Sequence, residues 1–241
     1  MTTAAMDAPL RGRRIGILLE SDYIEEEIAY YRRRFAEEGA EVVLLSRLWG
    51  QESLVFTGHE QRAPLAVSGD LEALDYQELT GYAALVVPGG MVADRLRYSE
   101  STTGTAPAVA LMRRAFRIRH LVKAFSCHGL WLLSTATDLV RDRPVACHNN
   151  LIGDVRNMGA QYVDQDLVVD GDLVTGRTVD HCHLLARAVI TSLTRAGAGP
   201  GARVPEGEAP EGDETDGRAA LVPAQPGGVR RWGAPWRRSD G

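Results

Sequence analysis

The 241-residue chain predicts an α/β domain with a mostly parallel central sheet and helices on both faces. Short, continuously apolar runs recur along it. They alternate with stretches of helical apolar spacing, and several stop at Gly or Pro. Strands that are apolar at every position must be covered on both faces, which crossover helices accomplish in parallel sheets.

Residues 13–19 (RRIGILL) and 41–45 (EVVLL) read as the first two strands, with apolar residues at helical spacing over 25–38 between them. Gly39 supplies the stop for that helix. Residues 50–80 are polar, Gly-punctuated and weakly alternating, so a β-ribbon or an irregular excursion is expected there. Residues 83–87 (AALVV) form the third buried strand, ending in Pro88-Gly89-Gly90, and 106–117 the next helix. Residues 121–126 are the fourth strand and 129–137 a helix after it. In 164–177, two apolar alternations flank Asp170-Gly171, a pair that tolerates the positive φ of a tight hairpin turn. A closing helix follows over 182–194.

The expected organisation is a disordered segment 1–12, one folded domain 13–195, and a disordered tail 196–241 rich in Gly, Pro, Glu and Arg. A net charge of −5 offers no basic face for a phosphate backbone, so nucleic acid is not expected as a partner. Residues 1–10 lack the basic start and apolar stretch of a secretory signal, and no run approaches the length that spans a bilayer. A cytoplasmic location and no membrane partner are expected. Cys127, Cys147 and Cys182 form no disulfide framework and are read as thiols.

The chemistry concentrates at Ser126-Cys127-His128-Gly129. A strand that stops abruptly and restarts as a helix has the geometry of a nucleophile elbow, with Cys127 at its point. A helix N-terminus behind the sulfur would depress its pKa. Addition of a thiolate to a carbonyl creates an oxyanion, and the backbone N–H groups of Gly90 and His128 are the expected donors to it. A buried, inert cysteine and a Gly-rich turn without a ligand are the plain alternatives.

VVPGG at 86–90, DRLR at 94–97, SCHG at 126–129 and NMGAQYVDQDLVVDGDLVTGR at 157–177 resemble the ThiJ/PfpI family of the class I glutamine-amidotransferase-like superfamily. The resemblance spans about residues 13–195. It implies a flavodoxin-like sandwich, a homodimer or larger assembly, no cofactor, and a cysteine-dependent enzyme acting on a small molecule. Cys127 and His128 match the family's cysteine and histidine directly. For the family's glutamate, Asp22-Tyr23-Ile24-Glu25-Glu26 points to Glu25, with Glu26 and Glu27 as fallbacks; a protonated carboxyl there would donate to the sulfur and pass a proton.

The chain departs from the family at Cys147-His148-Asn149-Asn150 and at Thr178 to His183, so Gly89, His148, Asn149, Thr178 and His181 are expected at the pocket together with Gly90. Cys147-His148 and His181-Cys182-His183 contain metal-ligating types, but not at a zinc spacing, and no metal is expected. The favoured function is glyoxalase-like addition to a small carbonyl compound. The alternatives are a PfpI-type peptidase or amidase, a redox-sensing or chaperone-like stress protein, and a tailoring step in a specialised pathway.

Overall fold

In the computed structural model, which describes residues 8–197, the first strand β1 (Arg14–Leu18) is exposed only at Arg14. It leads to helix α1 (Glu25–Glu37), β2 (Glu41–Ser46), the ribbon β3 (Leu54–Thr57) and β4 (Pro64–Val67), and the short β5 (Gly69–Asp70). Next come α2 (Tyr76–Thr80), β6 (Tyr82–Val87), α3 (Val92–Leu96), α4 (Pro107–Ala115) and β7 (Val122–Ser126). The chain continues through β8 (Pro144–Val145), α5 (Ile152–Asn157), β9 (Gln161–Tyr162), β10 (Leu167–Asp170), β11 (Leu173–Gly176) and α6 (Cys182–Gly197).

The main sheet has the order β10-β11-β7-β6-β1-β2-β5, parallel throughout except for the β10–β11 hairpin. Every residue of β6 and β7 is buried, as a sheet covered on both faces requires. Helices α1 and α6 pack together, α6 lying on β7 and β11; α2 and α3 pack against α4. From β1 the chain first builds outward to β2 and β5, then returns to β6 on the other side. That reversal opens a crevice at the carboxyl ends of β1 and β6, where ligands bind in open α/β sheets. The expected flavodoxin-like sandwich is the observed fold.

Three local readings change, and a fourth, the expected ribbon, gains its detail. Residues 8–12, assigned to a disordered start, are folded: Leu10 is fully buried and its N–H donates to the Glu38 carbonyl at 2.9 Å. The rest of that segment and the tail 198–241 lie outside the described residues. The α-helix expected over 129–137 is instead two short 3₁₀ turns, Gly129–Leu133 and Thr137–Leu139. Gly129, Leu130, Leu132 and Leu133 of the first turn are all buried, so the segment is packed in the core and not on an amphipathic surface. In the hairpin, Asp170 pairs with Leu173, so Gly171 and Asp172 make the turn rather than Asp170 and Gly171. Asp170 remains in the ladder with its carboxylate held by Arg143 Nε at 2.6 Å. Finally, the excursion over 50–80 resolves into the antiparallel β3–β4 ribbon, β5, and α2 with an Asp75/Glu78 capping box.

Candidate functional site

Strand β7 ends at Ser126, and Cys127 turns the chain with a φ of 55°, a left-handed conformation that costs a non-glycine residue about 1 kcal/mol or more. Three main-chain bonds hold the turn: Cys127 N–H to Gly176 O at 2.9 Å, His148 N–H to Cys127 O at 3.2 Å, and Trp131 N–H to His128 O at 3.0 Å. A side chain at 129 would put its Cβ 2.5 Å from the Val87 carbonyl oxygen, so only glycine lets the chain leave the elbow this closely against β6. The sharp strained turn read from the sequence at Cys127 is therefore present.

The sulfur of Cys127 lies 3.2 Å from His128 Nδ1. His128 in turn stacks on His148, ring centres 4.6 Å apart and planes 26° apart. His148 Nδ1 accepts from Asn150 N–H at 3.2 Å, which places the proton of the neutral ring on Nε2. Burial, and then the charge of His148, hold His128 below the ordinary histidine value. Neutral at pH 7, it can accept the thiol proton.

The expected depression of the Cys127 pKa does not occur. Burial first, and the negative charge of Glu27 second, push the thiol up to about 12, although N–H groups of His128 and Val179 partly offset them. Burial raises the pKa of Glu27 as well, which weakens its charge on the sulfur to the extent that Glu27 stays neutral. The physical reason for the difference is that the elbow buries the sulfur, and burial disfavours its charged form by more than the two N–H groups favour it. Cys127 is a thiol paired with a base.

The carboxyl group facing this site belongs to Glu27, not to Glu25. Glu25 points to the ribbon, where it accepts the N–H groups of Glu60 at 3.1 Å and Gln61 at 2.8 Å. Despite some desolvation, those bonds hold its pKa below the usual carboxylate value. Glu27 is fully buried. Its Oε1 accepts from the Tyr31 hydroxyl and its Oε2 from Gly89 N–H, both at 2.9 Å. Burial raises its pKa, and the hydrogen bonds around it only partly oppose that rise. Gly89 stands between the two reactive groups: a Cβ there would lie 3.0 Å from Cys127 Cβ and 3.2 Å from Glu27 Oε2. Glu26 does not enter the site.

The remaining candidates divide. Gly89 is an anchor for Glu27 rather than an oxyanion donor, because its N–H is already committed. Gly90 has a φ of 72°, and a Cβ would fall 2.4 Å from Asp22 O, so glycine is required where this loop crosses the end of β1. Thr178 Oγ1 pairs with His181 Nδ1 at 2.9 Å, and His181 Nε2 lies 3.5 Å from Asp166, which occupies both ring nitrogens at the rim. Asn149 is exposed. Among the described residues, no group of three or more His, Cys, Asp or Glu side chains is arranged to hold a metal ion. Sequence reading missed Tyr31 and the Val179 N–H. An i, i+4 Glu–Tyr pair on α1 was available as a signal for the first, whereas a backbone donor leaves no signal for the second.

The DJ-1/PfpI family model matches residues 13–192. The chain is 30% identical over 183 residues to protein/nucleic acid deglycase 2 of Escherichia coli, covering 75% of this chain and 98% of that protein. It is 28% identical over 182 residues to putative cysteine protease YraA of Bacillus subtilis, again covering 75% of this chain and 98% of the relative. A solved two-domain protein from Anabaena variabilis, containing DJ-1/ThiJ/PfpI-like and ferritin-like domains, aligns with a TM-score of 0.66 at 25% identity. That alignment covers 78% of this chain and 50% of the Anabaena chain.

Proposed function

Because the chain belongs to the DJ-1/PfpI family, whose members include proteins named as deglycases and a putative cysteine protease, we propose that it is a cysteine-dependent enzyme acting on a small reactive carbonyl compound. The observation that carries this reading is the Cys127 sulfur 3.2 Å from His128 Nδ1, at an elbow beside the Gly-rich loop. The thiol proton passes to His128 as the sulfur adds to the carbonyl carbon, converting C=O to an alkoxide. The N–H groups of His128 and Gly90 are the donors assigned to that oxygen. Neutral Glu27 adds no second negative charge to the site and has a proton to lend to the alkoxide.

With a 2-oxoaldehyde, the hydrogen on the adduct carbon then moves to the neighbouring carbonyl carbon, leaving a thioester that water hydrolyses. One carbon is oxidised and its neighbour reduced, so the net change is addition of water to give a 2-hydroxy acid. No redox cofactor is needed. The name of the E. coli relative agrees with this substrate class, since glycation adducts derive from such carbonyls.

Peptide or amide hydrolysis is the second reading. It is favoured by the oriented Cys–His pair, which supplies the base that amide cleavage demands, and by the name of the B. subtilis relative. The deciding experiment assays methylglyoxal, glyoxal and a peptide amide with wild-type protein and Cys127→Ser. Turnover of an aldehyde that Cys127→Ser abolishes, with its melting temperature unchanged, is the expected result. Cleavage of the amide alone moves the assignment to the hydrolase, and full activity in Cys127→Ser removes both.

A further inference from the structure

Behind the sulfur lies a hydroxyl that neither carbonyl addition nor amide hydrolysis calls for. Tyr31 is one helical turn beyond Glu27 on α1, and both are fully buried. Its ring is clamped by Phe35, stacked at 5.9 Å and 17°, and by Tyr30 edge-on at 6.4 Å, which fixes the position of the phenolic oxygen. That oxygen donates to Glu27 Oε1, while Gly89 N–H donates to Oε2. Ser126 Oγ, one residue before the nucleophile, is buried facing the same pair but makes no hydrogen bond of good geometry.

We infer that Tyr31 is a positioning residue, whose hydroxyl holds the Glu27 carboxyl against the loop at Gly89 and sets its proton affinity. This rests on the proposed role of Glu27 beside Cys127. The two donors grip opposite oxygens of one carboxyl, so they fix its plane as well as its place. They also differ in kind. Gly89 N–H is a rigid backbone donor that can only donate. The Tyr31 hydroxyl is a rotor on a fixed ring: it donates to Oε1 when Glu27 is ionised, and when Glu27 is protonated it can accept and turn its own hydrogen toward the idle Ser126 Oγ. The network can therefore serve both protonation states without moving a heavy atom.

The groups facing Glu27 are Tyr31 on α1, Cys127 and Ser126 at the end of β7, and Cys182 at the start of α6. None is a cation. Neutral hydrogen bonds are thus the means of stabilising the carboxylate, and a bond to a charged group outweighs the same bond to a neutral one. Losing the hydroxyl must leave Glu27 harder to ionise. Because ionised Glu27 raises the thiol pKa, a Glu27 that stays neutral to higher pH also makes Cys127 easier to ionise over that interval.

The test is Tyr31→Phe, which keeps the ring and its packing. Infrared difference spectra against Glu27→Gln isolate the Glu27 carboxyl band in substrate-free protein. The expected result is a titration midpoint raised by about one pH unit, the worth of one hydrogen bond to a charged group, with the C=O stretch moved to higher wavenumber. Alkylation of Cys127 should be faster in the variant between the two midpoints. A midpoint and band position that coincide with wild type would overturn the inference, and so would a lowered midpoint. These readouts need no substrate, so failure to turn over any aldehyde counts against the proposed reaction and leaves the role of Tyr31 to be judged by the spectra. Should Tyr31→Phe not fold, 3-fluorotyrosine at position 31, whose more acidic hydroxyl is a stronger donor to the carboxylate, should lower the midpoint, and a midpoint left unmoved would overturn the inference.

Discussion

Glu25 and Glu27 share the first turn of one helix and meet opposite fates. Two positions at 100° each set their side chains about 200° apart, so one faces the ribbon and the other faces the sheet. Glu25 is held ionised by backbone N–H groups at a partly open surface. Burial raises the pKa of Glu27 by more than its hydrogen bonds lower it. Identical side chains thus become an ionised structural acceptor and a buried carboxyl that holds its proton more tightly, and the difference lies in which way the helix is turned. The proposed chemistry at Cys127 relies on that turn.

The largest expected effect separates the two glutamates by activity. Glu27→Gln preserves volume and neutrality but cannot give up a proton, so turnover should fall by about 10²- to 10⁴-fold, the usual worth of general acid–base catalysis, while alkylation of Cys127 still proceeds. Glu25→Gln should stay within about twofold of wild type, as surface changes commonly do. The measurement is kcat/KM for the best aldehyde, with melting temperature as control. If Glu25→Gln lost activity and Glu27→Gln kept it, the roles assigned from the geometry would be reversed.

A smaller effect tests the other side of the sulfur. Burial and His148 both hold His128 below the ordinary histidine value. A group with a depressed pKa is neutral through physiological pH and gains a proton only on acidification. Activity that needs neutral His128 should therefore be level near pH 7 and decline below about 6.5, the unperturbed histidine value. His148→Asn removes one cause of the depression, so the acid limb of kcat/KM should move upward while the alkaline side stays put. An acid limb that does not respond would mean that the stacked rings are not coupled.

Much of this arrangement could be read from the chain before folding, for definite reasons. Strands β1 and β6 are apolar runs after their first residue, and β7 is broken only by Lys123 and Ser126, because helices cover both faces, and such runs stand out in sequence without knowledge of partners. Cys127 at the end of β7 was legible because a strand, a reactive residue and a glycine occur in fixed order. The register of α1 was not. Glu25, Glu26 and Glu27 are chemically identical in sequence, and only the packing of Ile28, Tyr31 and Phe35 into the core selects Glu27 as their inward neighbour. Likewise, the residues after Cys127 are apolar enough for either helix type; the close approach of Gly129 to Val87, a long-range contact, goes with the tighter turn. The direction of the thiol pKa is not legible either, since it follows from how deeply the fold buries the sulfur.

The smallest expected effect defines what Glu25 is for. Its carboxylate closes the turn between β3 and β4 by accepting from Glu60 and Gln61, and a Cβ at Gly58 would sit 2.1 Å from its Oε1, so the turn is built around this one side chain. The same ribbon is fastened to the end of β1 by Tyr23, whose hydroxyl donates to Ala63 O at 2.7 Å and whose carbonyl accepts from His59 N–H at 2.8 Å. Those attachments survive the loss of Glu25. Glu25→Ala should therefore cost only the net worth of two partly exposed hydrogen bonds, about 1–2 kcal/mol, or a few degrees of melting temperature for a domain of this size. Amide exchange should speed up at Glu60 and Gln61 first, with kcat/KM nearly unchanged. Gly58→Ala should reproduce the exchange pattern by displacing the carboxylate. Faster exchange across β1 and β7 as well would show that the ribbon supports the whole site, and that the division between the two glutamates is less complete than their environments imply.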